Sequence, residues 1–156
     1  MPELRKGATL RVDVIDMNNL GAGIAKVDEA VVFVRGGVTG DVADVEIIKA
    51  TSSYFVARIV RLVKASEHRI ASGCPVSNRC GGCVFKNITY DYETEIKRSI
   101  VEGAMRRAGL DIGVLPVLTA GRDSRYRNKA LYPIGRLRIS SNNKKSQKDK
   151  RFRSDA

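Results

Sequence analysis

Between residues 7 and 64, apolar and polar residues alternate in short runs, the period of strands rather than of helices. In Ala8–Asp16 (ATLRVDVID), Leu10, Val12 and Val14 fall on one face. Apolar runs follow at Ala30–Val34 (AVVFV), Asp41–Lys49 (DVADVEIIK) and Tyr54–Val63 (YFVARIVRLV). Gly21-Ala22-Gly23, Arg35-Gly36-Gly37 and Thr51-Ser52-Ser53 punctuate them as turns. The spacing predicts five strands in about 60 residues, a small OB-like barrel over residues 1–64; alternation alone does not separate it from an SH3-like one.

The period changes near residue 89. Tyr92, Ile96, Ile100, Ala104 and Ala108 recur at i, i+4 and predict a helix with a buried stripe. Thr89 is its expected N-cap, Asp91 and Glu93 suit the first turn, Arg106 and Arg107 the last, and Gly109 the stop. Glu93 and Lys97 can pair on its outer face. Before it, Lys64–Gly73 reads as a polar link leading into a cysteine loop. After it come a short apolar segment, Val114–Leu118, and an expected strand at Arg125–Ile134 with Arg125, Arg127 and Lys129 on one face. Residues 140–156 hold one large apolar residue, Phe152, cannot offset their chain entropy, and are expected to be a disordered basic tail. The class is mainly β with α, in segments 1–64, 65–111, 112–139 and 140–156.

Charge sharpens this picture. The net charge is +11, and it is unevenly spread. Residues 1–70 carry 10 Lys/Arg against 9 Asp/Glu, residues 71–139 carry 12 against 6, and residues 140–156 carry 6 against 2. An excess that persists outside the tail favours a polyanionic partner, and nucleic acid is the commonest. No apolar run reaches the roughly 18–20 residues of a membrane span, and the N-terminus MPELRKGATLRVDV lacks a secretory h-region. A cytoplasmic protein with reduced thiols and no membrane partner is expected.

All three cysteines lie in GCPVSNRCGGC, with the spacing Cys74-x5-Cys80-x2-Cys83. Thiolates this close suit zinc or an iron–sulfur cluster, and Gly81 and Gly82 let the backbone curl near a bulky centre. The single histidine, His68, could complete a zinc site. Unligated core cysteines and a redox Cys-x2-Cys pair are further readings that spacing leaves open.

Residues 1–64 look like a TRAM domain, a small RNA-binding barrel, on Gly21–Ala25 (GAGIA), Val31–Val34 (VVFV) and Gly40–Val45 (GDVADV). The Cys-x5-Cys-Gly-Gly-Cys loop, the helix and Tyr126–Ala130 (YRNKA) follow in the order of bacterial RNA uracil-5-methyltransferases of the 23S rRNA type, a resemblance that covers about residues 5–136. It implies a four-iron four-sulfur (4Fe-4S) cluster with Cys74, Cys80 and Cys83 as the first three ligands, and a mixed α/β middle domain beginning within 112–139. It also implies RNA, in particular rRNA, as partner. The family's fourth cluster cysteine, its S-adenosylmethionine domain and its nucleophile have no counterpart here, so the chain reads as a truncated or frameshifted copy with no catalytic residues of its own.

Candidate RNA contacts are Lys26, Arg35, Arg58 and Arg61 on the barrel, Arg125, Arg127 and Lys129 on the later strand, and Tyr54 or Phe55 as a base-stacking ring. Two other readings stand beside this one: a free-standing TRAM-type module with a zinc site, and a remnant that folds only in its barrel.

Overall fold

The computed structural model describes residues 4–77, 82–121, 123, 126, 128 and 129. The chain divides into two compact units, Met1–Ala120 and Gly121–Ala156. Most of the second, including the expected tail at 140–156, lies outside the described residues.

Alternation produces strands where it was strongest. They are β1 (Thr9–Asp13), β2 (Asp16–Met17), β3 (Ala22–Val27), β4 (Ala30–Arg35), β5 (Val42–Ala50) and β6 (Phe55–Lys64), in the sheet order β1-β5-β6-β4-β3-β2. All pairings are antiparallel except β4 with β6. The expected mainly β barrel is present as a curled half-barrel sheet, with six strands where five were expected.

The reason lies at Val14–Ile15. One continuous strand was expected over 8–16, but the chain leaves β5 there and joins β3. The Val14 N–H donates to Asp41 C=O (2.9 Å), and the next N–H, of Ile15, donates to Ile24 C=O (2.8 Å). Two residues thus connect the outermost strands of the order, which forces the sheet to curl. A second correction concerns Gly21-Ala22-Gly23. Only Gly21 is a turn residue; Ala22 and Gly23 open β3, with Gly23 buried.

The inward faces carry Val12, Ala25, Val32, Val34, Ala43, Val45, Ile47 and Ala57, joined by Val14 into one buried cluster, with Leu10, Phe55 and Ile59 packed against it. Small β-branched and alanine side chains let the curled faces approach closely.

The expected helix is α1, Tyr90–Arg107. Thr89 is its N-cap in extended conformation but makes no side-chain cap bond. Gly109 takes φ +76°, as a C-terminal stop requires, and Glu93 pairs with Lys97. Ile96 packs with Met17, Val38 and Ile88 in a second buried cluster, with Tyr92, Ile100 and Phe85 beside it. The stripe ends there: Ala104 and Ala108 are exposed, because nothing among the described residues covers the last turn. Residues 110–120 form no helix or strand, and Leu115 and Leu118 are exposed.

Candidate nucleic-acid interface and cysteine loop

Strand parity places one set of side chains on the outer face of the half-barrel. Along β3 and β4 these are Ala22, Ile24 and Lys26, and Val31, Phe33 and Arg35. Register aligns them into two rows across the sheet. One runs Lys49, Val56, Phe33, Ile24; the other runs Glu46, Arg58, Arg35, Ala22. Phe33 makes an edge-to-face contact with Tyr54, ring centroids 5.5 Å apart, and Lys49 Nζ lies 5.6 Å from the Tyr54 ring centre. Of the two rings proposed for stacking, Tyr54 is therefore at the outer face, whereas Phe55 packs on the core. Phe33 was missed, although period two within AVVFV puts it opposite to Val32 and Val34.

The four barrel cations do not present equal charge. Arg58 donates Nε (3.0 Å) and Nη2 (2.6 Å) to Glu46 Oε2. Arg61 and Arg11 converge on Asp44, at 3.0 Å and 2.8 Å. Hydrogen bonding from Arg11, helped by Arg61, holds the Asp44 carboxyl below its ordinary range against partial desolvation. The β1–β5–β6 part of the face is thus an ion-pair ladder. Lys26 and Arg35 are exposed and have no carboxylate partner among the described residues. Lys129 is exposed in the second unit, and Arg125 and Arg127 lie outside the described residues.

The supposed polar link does more than connect. Asp41 is fully buried. Its Oδ1 accepts from Ser66 N–H (2.9 Å) and Arg69 Nε (3.1 Å); its Oδ2 accepts from Val38 N–H (2.7 Å) and Arg69 Nη2. Arg69 Nη2 also reaches Gly36 C=O (2.7 Å). Burial pushes the Asp41 carboxyl up, but the bonds from Arg69, Ser66 and Val38 outweigh it and hold it below the ordinary carboxylate range. The folded state therefore binds this proton less readily than the unfolded one. The clasp's contribution is complete above an unfolded pKa of about 3.9 and is lost as pH falls through the lower folded value. Protection factors for the Ile70 and Thr89 amides are expected to hold at neutral pH and to collapse below about pH 4, with no such transition in Asp41→Asn.

This clasp anchors the segment that carries Cys74 and Cys83. Arg69 bridges Ile88, Ile70 N–H donates to Asn87 C=O (3.0 Å), and Thr89 N–H donates to His68 C=O (2.9 Å). Both ends of the segment 71–86 are thereby pinned together beneath the half-barrel's β4–β5 connection. Within it Cys74 is half-buried, donates its N–H to Ser72 Oγ (3.3 Å) and accepts from Ser77 N–H (3.2 Å), while Cys83 is exposed. Both are free thiols; Cys80 lies outside the described residues. Cys74 and Cys83 are soft donors with the chemistry of iron or zinc ligands, but no group of three or more His, Cys, Asp or Glu side chains gathers around a common point among the described residues. The His68 ring lies flat on Tyr92 (centroids 3.7 Å apart, planes 5° apart). No helix among the described residues is long and apolar enough to cross a membrane.

Residues 3–60 match the TRAM domain family. Proteins named uncharacterized RNA methyltransferase are similar over most of the chain. One from Bacillus cereus is 37% identical over 136 residues, 86% of this chain and 30% of its own length. One from Clostridium tetani is 32% identical over 134 residues, 85% of this chain and 29% of its own. One from Gloeobacter violaceus is 36% identical over 136 residues, 85% of this chain and 30% of its own. The chain spans about 30% of the length of these curated relatives. With the half-barrel, the pinned cysteine loop and the helix in one unit, the chain carries a TRAM domain and is, over most of its length, a homologue of part of the proteins named RNA methyltransferases.

Proposed function

We infer that this chain is the RNA-holding part of an RNA methyltransferase that acts on uracil C5 in rRNA, and that Cys74, Cys80 and Cys83 hold an iron–sulfur cluster. The observation that carries this reading is the succession of a TRAM half-barrel, a cysteine loop with both ends clasped to it, and a helix, in a chain alike to proteins named RNA methyltransferase over 86% of its length. The cluster would supply a rigid, electron-rich knot that fixes the loop; this chain's own residues anchor it through Arg69 and Asp41. Adding a methyl group to uracil C5 needs a thiolate nucleophile, a base and bound S-adenosylmethionine. With its cysteines assigned to the cluster, this chain alone is expected to transfer no methyl group.

Purification without air tests the metal reading. Iron and acid-labile sulfide in equal amounts are expected in the parent chain and are expected to be lost in Cys83→Ser. Zinc instead of iron would replace the cluster by a zinc site, and neither metal would overturn the metal assignment. RNA binding is tested separately, by filter binding of rRNA fragments over a salt series; affinity should fall steeply with salt where phosphates dominate, and no binding at low salt would overturn the RNA reading.

A further inference from the structure

We propose that the outer face of β3, β4 and β6 is a seat for an unpaired nucleotide, its base on Phe33 and its phosphate at Arg35 and Arg58. This rests on the RNA-binding reading and narrows it to single-stranded RNA. Three observations meet here. Phe33 is flanked in register by the aliphatic Ile24 and Val56. Its edge-to-face contact with Tyr54 restrains both rings, and both remain partly exposed at the outer face. Two residues further along β4, about 7 Å away at the rise of a strand, Arg35 stands opposite Arg58 on the neighbouring parallel strand.

Like charges opposite one another destabilise a sheet. Glu46 offsets only one of the two, and Arg35 has no carboxylate among the described residues. A phosphate between the guanidinium groups removes that repulsion. Lys26 and Lys49, at the ends of the outer face, continue the positive track along which a strand can run. A duplex keeps its bases stacked on each other and offers no free ring face to Phe33, so single strands are preferred.

The test uses the full chain and fluorescence anisotropy with a labelled single-stranded RNA of about ten nucleotides, a length within one small barrel's site size, and the blunt duplex of the same sequence. Phe33→Ala is expected to weaken single-strand binding roughly 5- to 150-fold, the range for loss of one stacked base, and to leave the weaker duplex binding unchanged. Phe33→Leu keeps an apolar residue in the row and is expected to fail likewise, whereas Phe33→Tyr restores affinity. Arg35→Gln is expected to lower the salt slope by about one. Glu46→Gln releases Arg58 and is expected to tighten binding. Parental affinity in folded Phe33→Leu, or weakened binding in Glu46→Gln, overturns the seat while the RNA reading stands. Absence of any RNA binding by the parent chain overturns both.

Discussion

Asp41→Ala is expected to destabilise the first unit by about 3–5 kcal/mol, the cost of removing one partner from a buried ion pair. Globular domains hold only about 5–15 kcal/mol in all, so the variant should unfold at a much lower urea midpoint. The reason is the number of groups that lose a partner together. The Arg69 guanidinium, with 21% of its side chain exposed, keeps only Gly36 C=O, and the Val38 and Ser66 amides lose their acceptor. Arg69→Met leaves the opposite charge buried, although Asp41 retains two amide donors, so a smaller loss is expected. The double variant Asp41→Ala with Arg69→Met should cost less than the sum of the singles, because each single strands what the double removes. Urea unfolding with amide exchange checks both the size and the place of the effect. Ile70 and Thr89, which pin the ends of the cysteine loop, should lose protection before Val45 and Val32. A cost below about 1 kcal/mol, the level of a surface ion pair, would remove the clasp from the account of how the loop is held.

The contrast between what could and could not be read from the sequence follows from range. Alternation is a local signal, and it located most of β1, β4, β5 and β6; the i, i+4 series and Gly109 located α1. Curling is not local. It depends on Val14 and Ile15 turning toward Asp41 and Ile24, partners that no window of neighbouring residues contains. Asp41 shows the same limit. In the sequence it is the polar first residue of a strand, and its partner Arg69 stands 28 positions on, inside a stretch that looks like a linker. The charge count found Arg58 and Arg61 but not the carboxylates that face them, because Glu46 and Asp44 become neighbours only once β5 lies against β6. Lys26 and Arg35 were equally visible as cations, and they are the two barrel candidates that face no carboxylate among the described residues. Phe33 was hidden by its own company: four of the five residues of AVVFV are alanine or valine, and an apolar run reads as core until parity is applied to each residue. The cysteine spacing is visible without any fold, since all three thiols lie within ten residues.

Gly21→Ala is expected to cost roughly 2–5 kcal/mol, the sum of a handedness penalty of about 1–2 kcal/mol and an overpacking penalty of about 1–3 kcal/mol. Gly21 has φ +70° in the turn where its N–H donates to Asn18 C=O (3.0 Å) and the Asn18 side chain caps the Leu20 and Ala22 amides. A Cβ there would press on the Val84 carbonyl oxygen and lie 2.7 Å from Val84 Cγ1. Val84 follows Cys83, so the β2–β3 turn is the surface on which the outgoing arm of the cysteine loop rests. Gly36 supplies the control. It has φ +72° but open space where a Cβ would go, so Gly36→Ala should show the handedness penalty alone. The difference between the two melting shifts measures the contact of half-barrel with loop. In protein purified without air, Gly21→Ala should also retain less iron than Gly36→Ala, since moving Val84 moves the Cys83 backbone. Equal melting temperatures for the two variants would mean that the loop arm yields freely, and that the clasp at Arg69 is what anchors the segment carrying Cys74 and Cys83.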